Sequence, residues 1–531
     1  MSVSSLGDRE GLTAEQAMAR AHELEEQGAR AMLDRRRVLQ ITGSAAAAGA
    51  ATWMLAKPAR AATTSTGPTK RRVAIIGGGL AGLVCADYLQ TKGIVPTIYE
   101  STTRAGGRQW SLSGFFPGQV AEIGGELIDG PHKTMLGYAN AFNLAKEDRT
   151  KLPGEAGYFI NGKHYNESEI VDEFATFSKR AAADVKSLSA ATTALKYTAT
   201  DQAFDNLSIT DFLNKHASDL NVLRPILLCA YEGEYGLPCD QQSALNLIYY
   251  LKWNRSSKLR MFGSSNERYH LTNGNEGIAK GIAAKLTNPI QYGYKLKALT
   301  MNASGEYVCT FDGIGSTVTA DAVVLAMPFT TLRNVTLDAS LKIPANQVNA
   351  INTLGYGMNA KTMVGFDARV WLSDYDVGGE TYVVGLENQQ IDWETNPTLA
   401  GANAIITDYA SASRSLSIGS MDLQKQVGLW MDDFDKVFPG AKATASKVSG
   451  AYRAYRAHWP TLPGALGSYT CYKKGQFTTV CGLEGLPVGR LKFAGEHANS
   501  FYMWQGFMEG ACLSGIDAAS SVLADIKAGV L

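Results

Sequence analysis

The stretch from Arg72 to Glu100 leaves the chain the fewest choices of fold. A run of Val73, Ala74, Ile75 and Ile76 passes directly into Gly77, Gly78, Gly79, Leu80, Ala81 and Gly82. An apolar helical stretch continues to Gly93, and a second strand, Val95 to Tyr99, ends on the acid Glu100. Strand, GxGxxG, helix, strand and terminal acid, in that order, predict a βαβ unit that grips a dinucleotide. Gly77 allows the tight turn, Gly79 lets the backbone approach a pyrophosphate at the helix N-terminus, and Gly82 permits the helix to pack closely on the strand. Glu100 is expected to accept hydrogen bonds from ribose hydroxyls, and its charge repels the extra phosphate of an NADP-type ligand. The crossover makes the strands parallel and places the protein in the α/β class.

With 531 residues the chain has room for two or more domains. Fifty Lys plus Arg balance fifty Asp plus Glu, so there is no basic field to attract nucleic acid or anionic lipid. Seven cysteines without a CxxC pair signal neither a zinc site nor a disulfide framework, and are expected to be mostly buried thiols. No metal site is expected. Near the N-terminus, Arg35, Arg36 and Arg37 precede a weakly apolar run, Ile41 to Ala56, and then Ala59, Arg60, Ala61. This order resembles a twin-arginine export signal over residues 1–61, followed by a linker, 62–70, and implies a periplasmic or extracellular protein. The alternative is a basic amphipathic helix over Ala14 to Leu33 with an alanine-rich linker. The apolar run is too short to span a membrane stably.

The residues after the second strand, Glu100, Ser101, Thr102, Thr103, Arg104, Ala105, Gly106, Gly107, Arg108, read ExxxRxGGR. This string resembles the glycine-doublet signature of the flavin amine oxidase family, which includes monoamine, polyamine and L-amino-acid oxidases. The resemblance recurs at Glu122 to Gly130, at the strand Asp321 to Met327 before Pro328, and at Leu491 to Glu496 with Trp504 to Ala511. It implies FAD as cofactor, with Arg104 and Gly107 in the binding string and Arg108 against the pyrophosphate, where a guanidinium fork suits two phosphates. It also implies Leu296 beside the adenosine, Gly495 and Glu496 at the ribityl and phosphate region, and the Met508 amide aimed from a helix N-terminus at the flavin carbonyl. The fold implied is a Rossmann-like FAD-binding domain built from separated segments, 71–143, 267–344 and 481–531, with an interleaved α+β substrate-binding domain. The substrate domain takes 144–266, read as mainly helical, and 345–480, read as sheet and helix. Strands are expected at Lys361 to Phe366 and Thr381 to Leu386, and a helix near Leu423 to Phe438.

The same resemblance implies an oxidase that turns an amine into an imine and reduces molecular oxygen to hydrogen peroxide. Such chemistry needs an apolar, aromatic-walled slot and a positive group near the ring. Tyr469 and Phe507 match the two aromatic walls, Trp459 the tryptophan upstream, and Lys361 the active-site lysine. Ser468 stands where covalent members carry cysteine, so FAD is expected to be non-covalent. His132 is placed near the pocket and His497 as helix-terminal scaffolding. For the substrate, Glu126 and Asp129 in one segment and Glu232 and Glu234 in another favour a cationic mono-, di- or polyamine. An L-amino-acid oxidase, its carboxylate gripped by an arginine such as Arg224, Arg268 or Arg456, stays open beside it, as does an amino-acid monooxygenase. A non-enzymatic flavoprotein predicts a damaged glycine doublet or a missing lysine, and neither is present.

Overall fold

The computed structural model of the chain describes residues 71–253, 259, 261–263, 265–313 and 317–531. The export signal at 1–61, its linker and the alternative helix at Ala14 to Leu33 lie outside the described residues. Five parallel strands form the sheet that the glycine motif opens, in the order Leu491–Phe493, Ala322–Leu325, Val73–Ile76, Thr97–Glu100 and Gln291–Tyr292. The inner strands Ala322–Leu325 and Val73–Ile76 and the edge strand Leu491–Phe493 are buried along their whole length, as parallel strands covered on both faces must be. The second strand begins at Thr97 rather than Val95, because Pro96 has no N–H to give to the ladder.

Helix Leu80–Thr91 and the C-terminal helix Met508–Lys527 pack against each other over this sheet. Their contact is close at Gly515, where a Cβ would sit 2.4 Å from the Ala81 carbonyl oxygen. Strands from three distant parts of the chain therefore share one core, with Ile75, Leu83, Val84, Val324, Ala494, Cys512 and Val522 all buried in it.

A seven-stranded sheet runs in the order Ala454–His458, Ala360–Phe366, Ala404–Ala410, Ile391–Glu394, Val377–Val384, Glu155–Ile160 and Lys163–Tyr165, and a separate four-stranded sheet, Thr317–Ala320, Tyr307–Asp312, Lys295–Met301 and Thr336–Leu337, carries Leu296. The strand carrying Lys361 is second from one edge of the seven-stranded sheet and buried at all seven positions. Helix Leu423–Val437 covers the sheet and is capped by the Asp422 carboxylate, which accepts from the Lys425 amide. The stretch 144–266 supplies the helices Glu167–Ser187, Ala199–Asp205, Ile209–His216, Leu223–Tyr235 and Leu245–Trp253. It is not helical throughout, however: Glu155–Ile160 and Lys163–Tyr165 form a hairpin that joins the large sheet. Asn161 and Gly162 turn it with φ of 49° and 86°. Asn-Gly between apolar runs is a strong hairpin signal, and it outweighs the helical pattern around it. All seven cysteines are buried thiols. Among the described residues no helix is long and apolar enough to cross a membrane.

Candidate active site

The five-stranded and seven-stranded sheets enclose a cavity of about 960 Å³. One part of its lining is made by the glycine turns. Gly77 has φ +113°, and a Cβ there would meet the Ala326 carbonyl oxygen at 2.3 Å. Gly79 lies against Gly107 of the doublet, so closely that a Cβ on Gly107 would be 3.1 Å from the Gly79 Cα. The Gly106 amide donates to the Gly78 carbonyl at 2.8 Å and ties the two loops together. Gly82 does not line the cavity. Its missing side chain lets the helix approach the turn, since a Cβ there would fall 2.0 Å from the Gly77 oxygen. Both helices that end at the cavity, Leu80–Thr91 after Gly79 and Met508–Lys527 after Phe507, start without a side-chain cap, so their first amides are open to an anionic or carbonyl ligand.

The charged residues predicted for this region lie around the same lining. The Glu100 carboxylate accepts from the amides of Gly78 at 2.7 Å and Thr102 at 2.8 Å. Arg104 donates to the carbonyls of Ala105, Gly107 and Gln109 and stacks over Trp110 at 4.1 Å, so it braces the doublet from behind. Arg108 donates to Glu496 and to the Ser468 carbonyl, each at 2.7 Å. Burial alone raises the Glu496 carboxyl, but the Arg108 charge, the Thr470 hydroxyl at 2.8 Å and other neighbours bring it below its ordinary value. Leu296, Gly495 and Met508 also line the cavity.

A second part of the lining is formed by Gly124, Gly125 and Glu126 against Lys361. The Lys361 ammonium, 5 % exposed, donates to Glu126 Oε2 at 2.7 Å, to the Gly124 carbonyl at 2.8 Å and to the Glu122 carbonyl at 3.2 Å. An ammonium has three N–H groups, and all three are taken. Glu126 Oε1 accepts from the Trp393 indole at 3.0 Å. Burial pushes the Glu126 carboxyl up, while Lys361 and His270 overcome it and hold it below the usual range. Tyr469, Phe507, Trp459, Trp393 and Tyr409 give the aromatic walls, with the Tyr409 and Tyr469 hydroxyls 3.0 Å apart. The Trp459 indole donates to the Ile123 carbonyl at 3.0 Å.

The third part is acidic: Glu234, Glu267 and Glu380 line the cavity together with Tyr235, Tyr250 and Tyr382. Burial and the Glu380 charge raise the Glu234 carboxyl to about 7, and burial and Glu380 also hold Glu267 well above its ordinary value. The Tyr250 hydroxyl donates to Glu234 at 3.3 Å and the Tyr382 hydroxyl to Glu380.

Two of the predicted acids are not here. Glu232 lies off the lining and accepts from the Cys239 amide at 3.4 Å; two residues along a helix turn a side chain to the opposite face, so Glu234 enters the cavity in its place. Asp129 is buried behind the wall, where it accepts from the Ser265 hydroxyl at 2.9 Å and from the Asn266 and Glu267 amides at 3.1 and 2.6 Å. It thereby holds Glu267 in a left-handed backbone, φ 43°. His132 does not line the cavity either: its Nδ1 accepts from the Asp129 amide at 3.0 Å, and its ring meets Trp504 edge-on. His497 is fully buried in the turn after Gly495.

Trp393, Tyr409, Glu267 and Glu380 were not singled out in the sequence. The helix phase offered one readable signal, since Ala230, Gly233 and Glu234, at spacings of three and one, share the face that lines the cavity.

A sequence profile of the family described as flavin containing amine oxidoreductase matches residues 80–523. The chain belongs to this family. The enzyme is 24% identical over 469 residues to polyamine oxidase 4 of Oryza sativa subsp. japonica, covering 84% of this chain and 87% of that one. It is 22% identical over 461 residues to an L-amino-acid oxidase of Pseudechis australis, covering 85% and 86%. Among solved structures, wild-type putrescine oxidase bound to putrescine superposes with a TM-score of 0.73 at 18% identity, covering 86% of this chain and 99% of that one. The enzyme is thus an oxidoreductase acting on amines, and its family carries a flavin. The residues present fit such a group: two uncapped helix N-termini open on the cavity, and Gly79 against Gly107 leaves a cradle that any side chain would fill.

Proposed function

We propose that the enzyme is an amine oxidase with non-covalent FAD that takes an amine bearing a second, distal cationic nitrogen, a diamine or polyamine. It oxidises the amine to an imine, with oxygen reduced to hydrogen peroxide. The observation that carries this reading is the trio Glu234, Glu267 and Glu380 in the same cavity as the aromatic walls and Lys361. A distal ammonium entering there offers donors to Glu234 and Glu267, whose carboxyls burial otherwise holds above their ordinary values. The arginines lining the cavity among the described residues are Arg104, which donates to backbone carbonyls, and Arg108, which donates to Glu496 and the Ser468 carbonyl and in this reading serves the pyrophosphate. Arg224, Arg268 and Arg456 pair with Asn214, Asp148 and Gln426 away from the lining, so a substrate α-carboxylate finds no guanidinium waiting for it.

In this reading Gly77, Gly79 and the amides after them receive the pyrophosphate with Arg108. Glu100 takes the ribose, Leu296 the adenosine, Gly495 and Glu496 the ribityl region, and the Met508 amide the ring carbonyl. The bound flavin supplies the hydride acceptor. Tyr469, Phe507 and Trp459 exclude water from the reacting carbon. Glu126, held by Lys361 and Trp393 and below the ordinary carboxylate range, is a poor proton acceptor, so the reacting nitrogen enters already neutral. Ser468, whose hydroxyl donates to Asn359 at 2.5 Å, offers no thiol for a covalent link. Export by the twin-arginine route belongs to the same proposal, and cell fractionation with and without residues 1–61 tests it.

A peroxide assay across putrescine, spermidine, n-butylamine and the L-amino acids tests the substrate. The diamine and triamine are expected to give the highest kcat/KM, with peroxide formed at one per imine. If L-amino acids react and putrescine does not, the reading is wrong.

A further inference from the structure

Behind the Lys361 wall a histidine sits between two carboxylates. His270, fully buried, has Nε2 3.3 Å from Glu122 Oε1 and Nδ1 3.4 Å from Glu147 Oε2. A neutral imidazole carries one N–H, so one of its nitrogens would point a lone pair at a carboxylate. Glu122 does not supply the missing proton, because both of its oxygens already accept, and at Glu147 two donors on Oε1 favour the carboxylate whose Oε2 faces the ring. Glu122 takes the Asn275 amide at 2.7 Å and the Ser111 hydroxyl at 2.8 Å; Glu147 takes the Thr398 amide and hydroxyl at 2.8 and 2.6 Å. An imidazolium, donating at both ends, is the arrangement that satisfies every group.

Glu122 also begins the segment whose carbonyls hold Lys361. Asn275, bonded to Glu122 through its amide, donates through its side chain to the Gly125 and Glu126 carbonyls at 3.0 and 2.6 Å. The same segment thus meets His270 at one end and the Lys361–Glu126 pair at the other. We infer that His270 is an imidazolium held between Glu122 and Glu147, and that it is a positioning residue for the Lys361–Glu126 pair in the cavity. The charged groups facing this network are Glu122 and Glu126 on one segment, Glu147 on a second and Lys361 on a third. Two of the three carboxylates are matched by Lys361 and His270, so loss of the imidazolium enlarges the buried negative excess beside the 122–126 segment.

Two experiments on the flavin-loaded, full-length protein test this, neither depending on which amine is the substrate. In wild-type protein with 13C-labelled histidine, which has seven histidines, the His270 ring is expected to keep imidazolium shifts up to about pH 9. A His270 signal that is neutral at pH 7 overturns the inference. In His270→Gln, which keeps a donor but no charge, the midpoint potential of the bound flavin is expected to fall, because the buried negative excess disfavours reduction and the Lys361 cation loses its aim. Turnover on whichever amine is active is expected to fall about tenfold to hundredfold in kcat, as small misplacements do. Glu147→Gln, which leaves the imidazole one carboxylate, is the second variant and is expected to lower the pH at which His270 deprotonates. A folded His270→Gln with unchanged potential and kcat shows that His270 serves the fold alone.

Discussion

Replacing Glu126 by Gln isolates the central ion pair of the cavity. The substitution keeps the shape and the Trp393 contact but removes the charge that faces the Lys361 ammonium at 2.7 Å. At an effective dielectric of about 20, two unit charges at that distance attract by about 6 kcal/mol. Both residues are 5 % exposed, so neither finds compensating water when the other is lost. Removing one partner of a buried pair typically costs about 3–5 kcal/mol, and that is the expected loss for Glu126→Gln and for Lys361→Met alone. The double variant leaves no orphan charge and is expected to be more stable than the sum of the single losses by about 2–3 kcal/mol. Urea unfolding followed by circular dichroism, with protein at equal flavin saturation, measures the cycle.

The pH dependence has a definite sign. Because the folded Glu126 carboxyl is depressed, its contribution is fully present above the unfolded value of 4.5 and is lost as pH falls through the lower folded value. Wild type should therefore lose stability below about pH 4.5 more steeply than Glu126→Gln. Single variants within 1 kcal/mol of wild type, or strictly additive losses, would refute the argument that this pair is desolvated and coupled.

Glu234→Gln is expected to raise KM for putrescine about 10- to 150-fold, the worth of one charge-assisted hydrogen bond, while leaving n-butylamine kinetics within twofold. Wild-type KM for putrescine should fall as pH rises through about 7, where Glu234 ionises, and this limb should vanish in the variant; pH-dependent initial rates decide it. Gly107→Ala places a Cβ 3.1 Å from the Gly79 Cα at a φ of +56°, and the variant should purify with little or no flavin, as read by absorbance against protein.

Local chemistry decided what was legible in the sequence. Gly77, Gly79 and Gly82 each serve a backbone geometry fixed within a few residues, so strand, turn and helix could be read in order. The Lys361 strand was legible because its neighbours are uncharged, and it is indeed buried throughout. What lay beyond reach depended on partners far apart in the chain. Nothing near Lys361 indicates that its ammonium is already claimed by Glu126, 235 residues away. The acidic trio joins Glu234 on a helix, Glu267 on a loop set by Asp129, and Glu380 on a sheet strand. Glu232 and Glu234 look alike as residues, and only the phase of their helix against the cavity separates them. Sequence thus determined the backbone motifs, whose energetics are local, while the tertiary structure decided which charges meet, since burial and distance set their worth and both are properties of the assembled fold.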